Sequence, residues 1–163
     1  MGRKATIKKV VNVVLDGGYM PEQADDVSAG YDLRCPADVV IKKGRNVVQL
    51  GIRVGLPVGI EGNIRPRSGF SAKGMEGYTI PIFKWLKPKL KRFDADVTEG
   101  TVDSGYHDGI GVIIKNYDKP FLIKKGTRIA QIVFSVHELP YLLIVDELEG
   151  YDRGGGFGHT GSK

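Results

Sequence analysis

The chain has 163 residues, with 24 Lys and Arg against 19 Asp and Glu, and a formal net charge of +5. This length suits one domain that buries about 70% of the surface its unfolded form would expose. No run of 18 apolar residues occurs, and the first residues lack the apolar stretch of a secretory signal. We therefore expect a cytoplasmic protein with no membrane partner. The single cysteine, Cys35, excludes an internal disulfide and a multi-thiolate metal site, and it is expected to line the core.

Short segments rich in Val and Ile predict strands along most of the chain. In chain order they cover residues 6–15, 39–42, 47–54, 111–114, 128–136 and 141–145. Turn signals such as Asp16-Gly17-Gly18 separate them, and no stretch of a dozen residues has helical spacing. The sequence therefore predicts an all-β fold, a compact barrel or jelly roll, spanning residues 1–148.

Two segments depart from this pattern. Residues 75–99 interleave aromatic side chains with a basic run that contains no acid, namely Lys84, Lys87, Lys89, Lys91 and Arg92. We interpret this segment as an insertion, a solvated loop with its aromatic rings packed on the barrel, and a nucleic-acid or protein partner is the alternative. Replacement of residues 78–96 by a short linker is predicted to be tolerated.

Residues 149–163 are too rich in glycine for a strand and predict a C-terminal arm.

Three clusters carry groups suited to a polyphosphate. Pro66-Arg67-Ser68-Gly69 offers a guanidinium fork, a hydroxyl and an unobstructed backbone N–H within one turn. Arg128 and Gln131 lie on one predicted strand and should point to opposite faces, so only one can face a ligand. We assign Gln131 to the ligand and Arg128 to a carboxylate in the body of the fold. In the arm, Arg153, Phe157, His159 and Thr160 predict a lid, with a disordered tail as the alternative.

A further cluster supplies a base. Asp103 precedes a turn, where it could activate a water molecule, and Tyr106 follows three residues later as a wall for a flat base or a sugar. An ordinary Asp-Gly turn would explain the same residues by conformational preference alone.

Together with Ala29-Gly30-Tyr31-Asp32-Leu33, these clusters resemble the five ordered motifs of the trimeric dUTP diphosphatase family, and the resemblance covers nearly the whole chain. It implies a jelly-roll β-barrel that hydrolyses dUTP to dUMP and pyrophosphate with Mg²⁺. It also implies a homotrimer, with three sites between subunits and an arm that reaches over a neighbour's site.

The resemblance assigns a role to each matching residue. Asp103 would be the base that deprotonates the attacking water, and Tyr106 would exclude a ribose 2′-hydroxyl. Asp32 would bind Mg²⁺ through water. Uracil would be read by backbone groups of Gly100, Thr101, Val102 and Gly111. The triphosphate would be held by Arg67, Ser68, Gly69 and Gln131. In the arm, Phe157 would stack on uracil, and the terminal phosphates would be closed over by Arg153, Gly158, His159 and Thr160.

The chain departs from the family pattern at several positions. Gly105 stands where a second carboxylate is usual, Val97 replaces a frequent asparagine, and the interval from Arg153 to Phe157 is one residue short. The nearest enzyme rival is a dCTP deaminase, which resembles this chain in its Arg-Ser motif. That family has a second serine where Gly69 stands here, and release of ammonia from dCTP would distinguish it.

Overall fold

The computed structural model describes residues 9–83 and 85–151, so the arm residues Arg153, Phe157, Gly158, His159 and Thr160 lie outside the described residues. The described chain is almost entirely β-structure with one short helix. In chain order the elements are β1 (Asn12–Leu15), β2 (Glu22–Gln23), β3 (Gly30–Arg34), β4 (Val39–Ile41), β5 (Gly44–Gln49), β6 (Ile52–Gly55), β7 (Ile60–Arg65), α1 (Ser68–Lys73), β8 (Met75–Thr79), β9 (Leu90–Phe93), β10 (Ala95–Thr98), β11 (Gly100–Val102), β12 (Gly111–Asn116), β13 (Phe121–Ile123) and β14 (Arg128–Val136).

These strands form four antiparallel sheets. The largest has the order β11-β7-β14-β3-β2, and the others have the orders β4-β13-β8-β9, β10-β12-β5 and β1-β6. Many neighbours in these sheets are far apart in sequence, as when β14 lies between β3 and β7. This arrangement confirms the all-β class and fits a jelly-roll-like fold. No helix in the described part of the chain has the length and apolar composition to span a bilayer.

The core lies between the sheets and is built from alternate residues of the strands. On β12, Val112 and Ile114 are fully buried, while Gly111, Ile113 and Lys115, which alternate with them, are half-exposed. Phe93 stacks on Phe121 with ring centroids 4.3 Å apart, which anchors β9 to the interior. Cys35 is also fully buried, and burial raises the pKa of its thiol, so its side chain is a core group rather than a nucleophile, as predicted.

Several predicted strands match observed ones, and others do not. Residues 128–136 form β14, 39–42 contain β4, and 47–54 divide into β5 and β6 at Gly51, whose φ is +64°. The predicted strand at 141–145 is wrong for the single chain. Those residues pair with no described strand, and Tyr141 and Ile144 are almost completely exposed.

Candidate functional site

A polar pocket of ≈ 410 Å³ opens where β3, β14 and α1 meet. Five of the residues assigned to phosphate or metal line it, namely Asp32, Arg67, Ser68, Gly69 and Gln131. A second cavity of ≈ 470 Å³, beside β1 and β14, is lined mostly by apolar side chains and holds none of these residues. Both volumes fall in the range of about 300–1,000 Å³ typical of small-ligand sites, and the polar pocket is the candidate site because it gathers the predicted residues.

Asp32 is the electrostatic centre of this pocket. Its carboxylate accepts a hydrogen bond from Arg67 Nε at 2.8 Å and another from Arg128 Nη1 at 3.0 Å. The aspartate side chain is only 13% exposed, so the two guanidinium groups offset the cost of burying its charge. Arg67 also packs over the ring of Phe70 at 5.6 Å. Its direction is thus set by Asp32 and Phe70, while its Nη groups make no hydrogen bond with the described residues.

The expectation that Arg128 and Gln131 face opposite sides is wrong. The pairing of β14 with β3 shifts register between Arg128 and Ala130, so Ile129 and Ala130 are both fully buried. A β-bulge of this kind adds one residue and reverses the alternation beyond it. Arg128 and Gln131 therefore approach Asp32 from the same side. The predicted pairing of Arg128 with a carboxylate is present, but that carboxylate is the pocket residue Asp32.

Gln131 is held in place by its neighbours. Its Nε2 donates a hydrogen bond to the carbonyl oxygen of Pro66 at 2.9 Å, directly before the Arg67-Ser68-Gly69 turn. Gly30 makes this position accessible, because a Cβ there would lie 2.1 Å from the Gln131 Oε1 atom. Close contact with Gln131 therefore explains the glycine at position 30, and this contact is not visible in the sequence.

Asp103 and Tyr106 lie on a separate turn after β11. The N–H of Tyr106 donates to the carbonyl oxygen of Asp103 at 3.0 Å, and the tyrosine hydroxyl donates to the carbonyl oxygen of Gly109 at 2.9 Å. The ring is therefore fixed although it is 42% exposed. Within the described residues, no side chain forms a hydrogen bond or ion pair with the exposed Asp103 carboxylate. The carboxylate is therefore open to solvent.

The backbone assigned to uracil lies at a sheet edge. β11 is the terminal strand of its sheet and pairs only with β7 among the described strands, so its outward N–H and C=O groups are open to a ligand. Val102 is buried at 5% exposure, which leaves only its backbone for recognition. Gly111 lies further on, at the start of β12, where it pairs with Gln49.

Two glycines of the predicted site face open space. A Cβ built at Gly69 or at Gly100 would meet no atom of the described chain within 4 Å. The chain's own packing therefore does not require glycine there, whereas close approach of a ligand or of another subunit would.

One chain does not bring the pocket and the Asp103 turn together. β11 runs antiparallel to β7, with Val102 opposite Gly62, so Asp103 lies at the start of β7 while Arg67 follows its end. The five residue steps from Gly62 to Arg67 span roughly 16 Å of extended chain. Asp103 and Arg67 thus lie toward opposite ends of one strand, and Asp103 does not line the pocket.

Besides Phe70, the pocket holds two charged residues that the sequence analysis missed. Glu76 on β8 and Arg92 on β9 complete its wall and form an ion pair. Arg92 had been grouped with the lysines of the basic run. The sequence does contain a signal for this ion pair, since an acidic and a basic residue stand on either side of residues 80–89, as opposed residues of a hairpin do. Val97, by contrast, is a core residue of β10.

The chain is an all-β protein with a polar pocket that two arginines line, and comparison with known proteins places it in a family. A family model for dUTPase matches residues 17–94 and 87–161. Deoxyuridine 5′-triphosphate nucleotidohydrolase of Syntrophotalea carbinolica is 39% identical over 160 residues, covering 95% of each chain. The putative enzyme of that name from Frog virus 3 is 39% identical over 137 residues, 82% of this chain and 72% of its own.

Solved structures agree on the fold. A mutant dUTPase of Staphylococcus bacteriophage 80alpha with dUpNHpp superposes with a TM-score of 0.77 at 24% identity, covering 94% of this chain and 99% of that one. The chain therefore belongs to the dUTPase family. The two matched segments overlap at 87–94, inside the segment that the sequence marked as an insertion.

Proposed function

We propose that this chain is a dUTP diphosphatase, which hydrolyses dUTP to dUMP and pyrophosphate by attack of an Asp103-activated water on the α-phosphorus. Such an activity limits incorporation of uracil into DNA and supplies dUMP for dTMP synthesis. The observation that carries the proposal is the polar pocket, which combines Arg67, Ser68, Gly69 and Gln131 around Asp32 in a member of this family. Release of pyrophosphate from each deoxynucleoside triphosphate tests it. dUTP alone should turn over, and ammonia release from dCTP would favour the deaminase instead.

The chain's own residues would divide the work as follows. Asp103 takes the proton of the attacking water, and the free Nη groups of Arg67 and the amide of Gln131 orient the triphosphate. The outward backbone of Gly100, Thr101 and Val102, with Gly111, reads the edge of uracil. Arg153, Phe157, Gly158, His159 and Thr160 would close over the bound nucleotide, although they lie outside the described residues.

Magnesium fits this pocket only through water. The described residues contain no group of three or more His, Cys, Asp or Glu side chains that could cage a metal. Each oxygen of Asp32 accepts one arginine hydrogen bond and keeps a second lone pair for a water ligand. Mg²⁺ dehydrates reluctantly and usually binds through one or two carboxylates and substrate phosphates. When bound, it would neutralise phosphate charge, with Asp32 positioning its water.

A homotrimer would unite the separated parts of the site. The pocket of one subunit needs an Asp103 turn, and that of its own chain lies at the far end of β7. In addition, Tyr141, Leu142, Ile144 and Leu148 are each more than nine-tenths exposed, and such contiguous apolar surface marks an interface. Both features support sites built between chains.

Tyr106→Ala is expected to narrow the difference in hydrolysis rate between dUTP and UTP. The ring held by Gly109 would fill the space that a ribose 2′-hydroxyl needs, and alanine leaves that space open. The measurement is kcat/KM for both nucleotides. Tyr106→Phe serves as the matched control, since it keeps the ring and loses only the hydroxyl. An unchanged ratio in the alanine variant would place sugar discrimination elsewhere.

The tip of the insertion, residues 80–89, supports a second function. Phe83 and Trp85 are 57% and 78% exposed and stack on each other at 5.9 Å, instead of packing on the barrel as the sequence analysis expected. Phe93 does pack inside. Lys87 and Lys89 are exposed nearby, and residues 78–93 contain no acid. Exposed aromatic rings can stack on bases, and unopposed cations beside them can contact phosphates, which is how proteins bind single-stranded nucleic acid. We propose that the tip binds it.

Trp85→Ala is expected to weaken binding of a single-stranded oligonucleotide at low salt by roughly 5- to 150-fold, the value of one stacked base. Replacing Lys87 and Lys89 by Gln should instead reduce the slope of log K against log[salt] by about 1.4. Fluorescence anisotropy across a salt series measures both. A Gly-Ser linker in place of residues 80–89 should abolish binding and preserve dUTP hydrolysis. Equal, negligible binding by all variants and by the original protein would reject the role.

The structure narrows the segment that such a linker can replace. An excision of residues 78–96 would remove Phe93 and Ala95, which are 3% and 1% exposed in the core. It would also remove the pocket residue Arg92.

A further inference from the structure

The inserted hairpin reaches the phosphate pocket through one cross-strand pair. Glu76 on β8 and Arg92 on β9 stand directly opposite each other in the antiparallel register. Opposed residues project from the same face of a sheet, and here that face forms a wall of the pocket that also contains Arg67 and Ser68. Arg92 is the only residue of the basic run, among those described, that lines this pocket.

The guanidinium group of Arg92 is fixed at two points. Nη2 donates to Glu76 Oε1 at 2.5 Å, and Nη1 donates to the carbonyl oxygen of Gly74 at 3.1 Å. Gly74 ends the helix that carries Ser68 and Gly69; its φ is +77°, and a Cβ there would lie 2.5 Å from the Phe93 carbonyl oxygen. Arg92 is therefore tied to a backbone position that only glycine fits. Three of its five N–H donors remain for an anion.

The charged groups of the pocket favour an anionic ligand. Arg67 and Arg92 line it with Asp32 and Glu76, and Arg128 shares Asp32 with Arg67, so three guanidinium groups stand against two carboxylates. A nucleoside triphosphate brings several negative charges, which a site of this kind must meet with guanidinium or ammonium groups and metal. Each arginine here is oriented by a carboxylate and keeps donors free, an arrangement suited to charge-assisted contacts with phosphate oxygens.

We propose that Arg92, supplied by the inserted hairpin, contacts the triphosphate. This inference rests on the proposed function of the pocket. It gives the insertion a part in the chemistry of the site that is separate from any role of its tip. The alternative is purely structural, with the Glu76–Arg92 pair doing no more than joining β8 to β9.

Two substitutions at the pair separate these roles. Arg92→Ala in the full-length protein should raise the dissociation constant of dUpNHpp roughly 10- to 100-fold, since it removes charge-assisted hydrogen bonds. Binding of dUMP, which lacks the β- and γ-phosphates, should change by less than about threefold. Glu76→Gln breaks the ion pair but leaves the guanidinium group and removes a negative charge from the wall. It should therefore bind dUpNHpp as tightly as the original protein or more tightly.

Calorimetric titration measures these constants, with Arg45→Ala as the control because Arg45 is an exposed arginine of β5 outside the pocket. Equal weakening by Arg92→Ala and Glu76→Gln would overturn the contact and leave only the structural pair. Unchanged binding in Arg92→Ala would overturn it as well. If the original protein neither bound dUpNHpp nor hydrolysed dUTP, the proposed function itself would fail, which is a distinguishable result. Melting temperatures of both variants report whether the hairpin stays folded.

Discussion

Asp103→Asn is expected to lower turnover of dUTP by roughly two orders of magnitude or more, while binding of dUpNHpp changes only a few fold. The asparagine has the same shape but cannot take a proton from water. The side chain is exposed and forms no hydrogen bond with the described residues, so the substitution removes no packing and breaks no ion pair. The loss should therefore appear in kcat rather than in binding.

Steady-state pyrophosphate release and calorimetry with dUpNHpp provide the two measurements. Asp108→Asn is a matched control, since Asp108 is exposed on the same loop between β11 and β12 and has no assigned role. Turnover near the original value in Asp103→Asn would remove this residue from the mechanism. A large loss in both variants would point to the charge of the loop instead of to a specific base.

Mixed trimers of Asp103→Asn and Arg67→Ala subunits are expected to recover activity although each variant alone is nearly inactive. A site that takes Asp103 from one subunit and Arg67 from another is intact in about one quarter of cases when subunits mix at random in equal amounts. This expectation rests on the separation of the two residues along β7 and on the absence of Asp103 from the lining of the pocket.

The reciprocal mixture sharpens this test. Subunits carrying both substitutions, mixed equally with unaltered subunits, should give about one quarter of full activity if sites are shared and about one half if each chain holds its own site. Differential tags allow the mixed trimers to be isolated after co-expression. An inactive Asp103→Asn and Arg67→Ala mixture whose trimers are shown to be mixed would contradict shared sites.

The polar clusters of the site could be identified from the sequence because the residues of each cluster lie close together in the chain. Arg67, Ser68 and Gly69 lie on one turn, and Asp103 and Tyr106 lie on another that is closed by a backbone hydrogen bond. Neither cluster needs a distant partner to exist. Likewise, β14 coincides with the predicted strand at 128–136, a segment rich in Ile and Val that pairs with a strand on each side. The family followed from the order of such local clusters.

Strand pairing decided what the sequence pattern could not. Alternation along β14 placed Arg128 and Gln131 on opposite faces, but the bulge opposite β3 brought both to Asp32. A bulge depends on how two distant strands match in length and register. The local pattern of apolar residues carries no information about that match. In the same way, residues 141–145 have the composition of a strand but lack a partner among the described strands, so their hydrogen-bonding groups remain unpaired in the single chain.

The all-β class, the family and the residues of the two polar turns follow from local composition and order, so they can be read from the amino-acid sequence. The places of Asp103 and Arg67 toward opposite ends of β7, and of Glu76 and Arg92 in the pocket, follow from the fold. The fold also gave the insertion a base anchored by the buried Phe93 and a tip with exposed aromatic rings. Cross-strand register and core packing set the position of one side chain relative to a distant one. Both arise from contacts between segments that lie far apart in the chain.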